Sequence, residues 1–509
     1  MHRPEPNYNL AAQLLKRAEL DPDYVAVHFE GTGQTYGELG ARVRRLAGLL
    51  KSRGVCKGDR VGFLGFNHPT FFETLYASAT LGAIFVPLNF RLTGEELRFI
   101  INDAGVHTLV ADPELIPVLA TVQDDLVCRQ FFSLADAQSV FADINAAMAE
   151  AEDYAEAMRL GAHDELLIMY TSGTTGLPKG AVLTHGNIIW NNVNANLAFG
   201  GNREDTQLVA APLFHIGGLN SMTLSALQQG ATLVVLKHFD PGAVLAAIER
   251  YQVRTMFGAP AMYLFMVQHP NFDQTNLDSL HLLTVGGAPC PEALIEKYQS
   301  HGVQICQGYG LTETAPFCSF LSPDKTLQKL GSAGKPPILT DLRIVDSHNE
   351  PVPAGEQGEV VIRGPNVMKG YWNRPDATAE AIDAEGWFHT GDIGYLDDEG
   401  YLFICDRLKD MVISGGENVY PAEVESVLYT HPSIAEVAVI GLPDDKWGEA
   451  VTAVAALHAG ESLSLEALRE FATPHLARYK IPLRLEIVDS LPRNPAGKVL
   501  KFQLRKQYA

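Results

Sequence analysis

The sequence is short of positive charge, of paired cysteines and of any long apolar run free of polar residues, and each shortage closes off a class of function. Lys and Arg number 39 against 60 Asp and Glu, a formal charge of −21, so nucleic acid and anionic lipid are repelled over most of the surface. A nucleic-acid role is not expected. The cysteines, Cys56, Cys128, Cys290, Cys306, Cys318 and Cys405, are dispersed, without a C-x-x-C pair and without a His cluster at metal-ligand spacing. That pattern predicts reduced structural thiols in a cytoplasmic protein. Met1 to Leu10 lacks the apolar stretch of a secretory signal. Thr206 to Leu236 contains no Asp, Glu, Lys or Arg and is long enough to span a bilayer. His215, Gly217, Gly218, Asn220, Gln228, Gln229 and Gly230 break it into short pieces, which predicts a strand, loop, helix and strand, and no transmembrane segment.

What is present is enough for several domains. A chain of 509 residues with 46% hydrophobic and 19% charged residues folds throughout and is too long for one core. Tyr36 to Ser52, Thr74 to Leu81 and Gly94 to Ala104 read as helices. Between and after them, Arg60 to Gly65, Ala83 to Leu88 and Thr108 to Ala111 read as strands. This alternation predicts a layered α/β architecture with parallel strands. From Ile338 the style changes to a meandering β-rich piece, including Leu342 to Asp346 and Gly358 to Gly364. A break follows at Asp406-Arg-Leu-Lys-Asp410, and beyond it strands and helices recur (Pro421 to Thr430, Ile434 to Ile440, Val451 to Leu457, Leu463 to Ala472) as in a small α+β domain. The expected division is 1–405, a break at 406–410, and 411–509.

The densest chemical signal is Tyr170-Thr-Ser-Gly-Thr-Thr-Gly-Leu-Pro-Lys-Gly180, directly after the strand-like run Leu166 to Tyr170. Glycines Gly173 and Gly176 let backbone approach phosphate oxygens. The hydroxyls of Thr171, Ser172, Thr174 and Thr175 add donors, and Lys179 adds a point charge. A Walker A loop needs Ser or Thr after its Lys, and Gly180 stands there instead. The residues alone therefore predict a polyanion loop of another type.

With this loop, Gln307-Gly-Tyr-Gly-Leu-Thr-Glu-Thr314, Gly391-Asp392, Asp406-Arg-Leu-Lys-Asp410, Gly415-Gly-Glu-Asn-Val-Tyr-Pro-Ala-Glu-Val-Glu425 and Pro492-Arg-Asn-Pro-Ala-Gly-Lys498 follow in order. In these motifs, over nearly the whole chain, the sequence resembles the adenylate-forming superfamily of acyl-CoA synthetases, coumarate-CoA ligases, luciferases and peptide-synthetase adenylation domains. The resemblance implies a large N-terminal α/β domain of several subdomains and a small mobile C-terminal α+β domain. It also implies a two-step reaction in which ATP and a carboxylic acid give an acyl-adenylate, which coenzyme A converts to a thioester.

The resemblance also assigns roles. Glu313 would hold Mg²⁺, joined by the hydroxyl of Thr171, and an oxygen set of this kind suits a hard cation. Gln307, Gly308, Tyr309, Gly310 and Thr312, with Gly287 and Ala288, would line the nucleotide, Tyr309 offering a flat face to adenine. Asp392 would accept from the ribose hydroxyls, with Arg407 near the same sugar. Lys498 would bridge the carboxylate and the α-phosphate, after which rotation of the C-terminal domain about Lys409 would bring Gly415 and Gly416 to the pantetheine tunnel. Carboxylates are weak nucleophiles and ATP is anionic, so charge screening and alignment are the chemistry required. No Ser-His-Asp elbow is found.

The implied acyl pocket comprises His215 to Ser221, Phe257 to Met262, Val285 to Pro289 and Gln307 to Pro316. By burial habits alone His215 reads as a hydrogen-bonded core residue; the resemblance makes it a pocket residue beside the acid. None of these segments carries Lys or Arg, which favours a monocarboxylate with an apolar tail or ring. No acidic residue near His215 could pair with an α-ammonium, which disfavours amino acids. Transfer to a carrier protein in place of CoA, and a nucleotide-binding protein without catalysis, are the alternatives. A homodimer is allowed.

Overall fold

Local chemistry sets the ends of several helices. Thr35 with Glu38 and Thr93 with Glu96 form reciprocal capping boxes at the starts of Tyr36–Ser52 and Gly94–Ala104, satisfying N–H groups that a helix start leaves without partners. Both helices match the ranges expected from sequence. The helix expected from Thr74 begins earlier, as Pro69–Thr80, where His68 caps it and Pro69 occupies the first turn. All its residues after Pro69 are buried, so no polar stripe reveals its start.

The structure is a computed structural model and describes residues 6–135, 141–171, 178–288, 290–414, 417–444, 446–493 and 499–508. Cα packing separates two units: Met1–Leu342 with Ile362–Phe388, and Arg343–Val361 with His389–Ala509.

The first unit contains two eight-stranded sheets. One runs in the order Phe317–Leu321, Ile305–Gly310, Leu282–Val285, Thr255–Gly258, Thr206–Val209, Thr232–Val235, Val25–Phe29, Thr32–Thr35. Its interior pairs are parallel and its two edge pairs antiparallel. The other runs Gly370–Tyr371, Lys179–Thr184, Glu165–Thr171, Ile84–Leu88, Arg60–Leu64, Val106–Ala111, Gln130–Ser133, Ala142–Asp143. It is antiparallel up to Glu165–Thr171 and parallel beyond. The parallel interiors agree with the helix and strand alternation. Three of the antiparallel pairs join consecutive strands that follow each other too closely for a crossover helix, whereas Gly370–Tyr371 reaches its partner from far along the chain.

Each sheet has a point where successive connections leave in opposite directions, and a crevice opens there at the carboxyl ends of the strands. In the first sheet Thr206–Val209 lies between Thr232–Val235 and Thr255–Gly258; in the second, Arg60–Leu64 lies between Ile84–Leu88 and Val106–Ala111. Phe66 and Phe90 follow strands at the second sheet's crevice and sit 4.7 Å apart. Phe90 stands edge-on to Phe214, beyond Thr206–Val209, at 5.1 Å. Buried Asn67 closes the join: its Oδ1 accepts from Leu213 N at 2.9 Å, and its Nδ2 donates to Ala211 O at 3.1 Å and Leu236 O at 3.2 Å. The two crevices therefore share one wall.

The uncharged segment folds as expected, into Thr206–Val209, the helices Ile216–Asn220 and Thr223–Gln229, and Thr232–Val235. Among the described residues no helix is long and apolar enough to cross a membrane.

In the second unit, Phe388–Leu396 and Leu402–Arg407 pair antiparallel within a four-stranded sheet that also contains Asp341–Val345 and Gly358–Arg363. A five-stranded sheet follows, centred on Gly448–Leu457 and Ile434–Asp444. Val424, Leu428, Leu468 and Ala472 from the helices Pro421–Leu428 and Leu465–Ala472 share a core with Val437, Val439, Val451 and Ala453 of those strands. By packing, most of the β-rich piece belongs to this unit.

Candidate active site

Strands Glu165–Thr171 and Lys179–Thr184 pair with Thr171 opposite Lys179, so the hairpin holds together the two ends of the glycine-rich loop. Ser172, Gly173, Thr174, Thr175 and Gly176 of that loop lie outside the described residues. The hairpin is anchored by Tyr170, whose hydroxyl donates to Asp103 Oδ2 at 2.6 Å, while Arg374 donates to Asp103 Oδ1 at 2.8 Å. Burial and the Asp103 carboxylate push the Tyr170 phenol far above its ordinary range, so it remains a donor at any physiological pH.

On the outer side of the hairpin Gly370–Tyr371 adds a strand, with Tyr371 opposite Ala181. Tyr371 then links the loop to the motif that contains Glu313. Lys179 Nζ lies 5.2 Å from the Tyr371 ring centroid, and the Tyr371 hydroxyl donates to Glu313 Oε1 at 2.8 Å. Glu313 is 8% exposed, and its carbonyl accepts from Met368 N at 2.7 Å. Neither Tyr371 nor Met368 was singled out from the sequence. Their only local signal is a short strand-like Gly-Tyr-Trp beside a Pro, and the pairing that matters spans residues far apart.

The turn bearing Thr312 and Glu313 is tightly fixed. Leu311 N donates to Thr314 Oγ1 at 3.1 Å, and that hydroxyl donates to Pro316 O at 2.6 Å. A Cβ at Gly310 would stand 1.9 Å from Pro316 O, so only glycine fits there. Ala315 sits at φ 64°, a left-handed conformation that surrounding contacts must hold in a residue with a Cβ. Gln307 is buried at the end of its strand and accepts from Cys290 N at 3.4 Å. Tyr309 is half-buried, and Gly287 and Ala288 are exposed beyond the neighbouring strand Leu282–Val285. Parallel pairing thus brings Gly287, Ala288 and Gln307 to Gly310 to the same edge of the sheet.

Among the described residues no group of three or more His, Cys, Asp and Glu could hold a metal. A single buried carboxylate near hydroxyls and a phosphate loop fits Mg²⁺, which takes few protein ligands and completes its shell with phosphate oxygens and water. It does not fit a metal that needs a His or Cys set.

The acyl candidates come from the carboxyl ends of adjacent parallel strands. His215 is accessible to solvent yet crowded by protein on most sides; burial first, then Arg91, lowers its pKa to about 4. Its exposure excludes a core position, and at neutral pH it is uncharged. This replaces the core-histidine reading. A Cβ at Gly217 would lie 2.7 Å from the Phe257 ring, and one at Gly286 would lie 3.4 Å from it. Phe257 therefore occupies space opened by two glycines. Although the acyl segments contain no cation, Arg91 reaches this wall from the second sheet. Its guanidinium lies 5.1 Å from the Phe90 centroid and 5.9 Å from that of Phe214. Residue spacing carried no sign of Arg91, which comes near His215 only through the join of the two crevices.

Within the second unit, Asp392 is buried and pairs in register with Arg407 across neighbouring strands. Its turn is shaped by Glu359, which accepts from Gly391 N at 2.9 Å and contacts His389 Nδ1 at 2.8 Å. Gly391 has φ 68°, a conformation that favours glycine. The side chains of Arg407 and Lys409 lie outside the described part, as do Gly415, Gly416 and Lys498. Around the expected hinge, Asp406 caps Pro421–Leu428 by accepting from Ala422 N at 2.7 Å, and Asp410 accepts from Arg505 at 3.0 Å.

The sequence matches the AMP-binding enzyme family over residues 14–372 and the AMP-binding enzyme C-terminal domain over 423–498. It is 44% identical over 502 residues to a feruloyl-CoA synthase of an Amycolatopsis species, covering 99% of each chain. It is 39% identical to the long-chain-fatty-acid–CoA ligase FadD13 of Mycobacterium tuberculosis, covering 98% of this chain and 99% of the relative. Among solved structures it resembles the o-succinylbenzoate CoA synthetase MenE of Bacillus subtilis, at 35% identity. With the acyl-adenylate intermediate bound, that structure gives a TM-score of 0.86 and 98% coverage of both chains. With ATP and magnesium ion bound, it gives 0.87, covering 97% of this chain and 99% of that one.

Proposed function

The chain belongs to the AMP-binding enzyme family, and from that membership and the geometry of its site we propose that it activates an aryl carboxylic acid for transfer to coenzyme A; with Arg91 at the acyl wall, the lack of cations in the acyl segments no longer restricts the acid to one carboxylate. It is an AMP-forming acid–CoA ligase working through an acyl-adenylate, with ATP, Mg²⁺ and CoA. The observation that carries our assignment of roles is the chain from Lys179 through Tyr371 to Glu313, which ties the phosphate loop to one buried carboxylate.

In our reading, Lys179 and the donors from Thr171 to Gly176 bind the phosphates. Glu313, with Thr171, would hold Mg²⁺, which would neutralise phosphate charge. A carboxylate oxygen of the acid attacks the α-phosphorus, and the bond to pyrophosphate breaks. Lys498 aligns the two anions, and Asp392 with Arg407 holds the ribose. Neutral His215 orients the acid without taking a proton. The thiol of CoA then attacks the acyl carbonyl, the bond to AMP breaks, and the thiol proton passes to solvent. For this step we assign 406–410 as the hinge between functional domains 1–405 and 411–509, with Lys409 at the pivot and Gly415 and Gly416 approaching the pantetheine arm.

Two features support an aryl acid. In our reading Phe257, packed against Gly217 and Gly286, forms one wall of the acyl recess, and a flat surface suits a flat substrate. The feruloyl-CoA synthase is also more similar in sequence than the fatty-acid ligase, 44% against 39%. The cytoplasm, which holds ATP and CoA and keeps thiols reduced, suits the six free cysteines. Pyrophosphate release measured across ferulate, indoleacetate and fatty acids of graded length, with and without CoA, tests this. Ferulate should give the highest kcat/KM, with thioester formed only when CoA is present; a maximum at a long fatty acid would replace the aryl assignment.

A further inference from the structure

Helix His185–Phe199 follows the glycine-rich hairpin and carries asparagines at 187, 191 and 194, spaced so that they share one helical face. All three are buried, where an amide stays only if its hydrogen bonds are met. Asn187 donates to Pro365 O at 2.8 Å and Val367 O at 2.6 Å, on the segment whose Met368 N bonds Glu313 O. Asn194 donates to Thr340, which donates to Asn366 at 2.9 Å; Asn366 in turn donates to Thr314 O and Phe317 O, each at 2.8 Å.

Asn191 lies between these. Its Oδ1 accepts from Phe317 N at 3.1 Å, and its Nδ2 donates to Asn220 O at 2.9 Å. Asn220 ends the short helix that begins after His215 and donates to Ala315 O at 2.6 Å. One side chain thus bonds both the acyl-side helix Ile216–Asn220 and Phe317, which begins the strand directly after the turn that carries Glu313, and the same helix and turn bond each other directly through Asn220. Ala315, held in a left-handed conformation, is the residue these bonds enclose.

We propose that Asn191 is a positioning residue that couples occupancy of the nucleotide end to the geometry of the acyl end. The proposal rests on the reading of Glu313 and His215 as the two ends of the site. If the turn moves when phosphate is bound, Asn191 and Asn220 carry the displacement to the helix behind His215. A positional error of about 1 Å at a reacting group is enough to cost about a hundredfold in rate.

Asn192 supplies the control. It is equally buried on the same helix, but it donates to Gln228 at 3.2 Å, away from the Glu313 turn. Hydrogen exchange of the 216–220 peptide should be measured with and without Mg·AMP-CPP, a non-reacting ATP analogue, in wild type, N191A and N192A. Nucleotide should slow exchange by about tenfold in wild type and N192A, and by less than twofold in N191A, even where both variants lose similar thermal stability. Equal slowing in N191A, or none in wild type, overturns the proposal. Kinetics give a second readout: N191A should lower kcat and raise KM for ferulate and Mg·ATP together, whereas N192A keeps all three within about twofold. If wild type releases no pyrophosphate with any acid, the functional reading fails, while the exchange experiment still decides the coupling.

Discussion

Around Glu313 the first unit gathers groups that bond to charge: a phenol donor, a lysine and hydroxyls on a tightly held turn. Around His215, from the same sheet and the adjoining crevice, it gathers rings and positions without side chains. The first region has little freedom, since Gly310 admits no Cβ and Thr314 bonds both Leu311 and Pro316. The second is shaped by a ring, since Phe257 occupies the room that Gly217 and Gly286 leave. Under the proposed roles the contrast follows from the chemistry each end would serve. Phosphate transfer needs preorganised charge at fixed distances, whereas selection of an apolar acid needs shape, and each methylene of fit changes specificity by only about 1–3 kcal/mol.

The largest change should come from Lys498, the cation proposed to align the carboxylate with the α-phosphate. K498A should slow adenylate formation about a hundredfold to a thousandfold while retaining thioester formation from supplied acyl-AMP; equal loss of both half-reactions would break the two-step division. Next is Tyr371→Phe, which removes a donor from a buried carboxylate. A bond of that kind contributes about 1.5–3 kcal/mol, so Mg·ATP kinetics should weaken by about tenfold or more with the KM for acid unchanged. A matching rise in the KM for acid would show that the two ends are not separable at Tyr371. At the acyl end, F257A should raise kcat/KM for bulkier aryl acids relative to ferulate by about tenfold, leaving the KM for Mg·ATP within twofold. An unchanged acid spectrum would remove Phe257 from the recess wall.

How much of this was legible in the sequence differs between the two ends. The residue types of the Thr171 to Gly180 loop imply a polyanion, Glu313 was marked by its motif's resemblance to a known family, and the helices with capping boxes were readable to their ends. Tyr371, Arg91 and the asparagines were not. Tyr371 reaches Glu313 only because a strand pairs onto Lys179–Thr184, Arg91 reaches Phe214 only because two sheets share a wall, and buried asparagines look like surface residues until the helix is packed. Register and packing are long-range facts, and residue spacing does not contain them. Glu359, which shapes the Asp392 turn, was missed for the same reason.

The remaining effect concerns pH and sharpens the comparison from outside the site, with no change in activity at pH 7. His185 is fully buried, accepts from Leu10 N at 3.1 Å and has its pKa lowered to about 4, chiefly by burial. Its folded pKa is below the ordinary value of 6.5, so the unfolded chain binds the proton more readily. Its contribution is full above about pH 6.5 and is lost as pH falls toward 4, about 3 kcal/mol in all. H185N, whose amide oxygen can accept from Leu10 N, should flatten the decline of Tm over that window and leave activity at pH 7 unchanged. His215 shares the direction of shift, so between pH 6 and 8 the KM for acid should follow the same profile in wild type and H215Q. A step near pH 6.5 in wild type alone would restore proton chemistry to His215.

The most direct measurement compares E313Q with wild type in one preparation, following acid-dependent pyrophosphate exchange and, separately, ferulate binding by titration. Exchange should fall about a hundredfold or more while the Kd for ferulate stays within twofold. Exchange at the wild-type rate, or loss of exchange and ferulate binding together in a folded protein, would contradict the assignment of Glu313 to the nucleotide end alone.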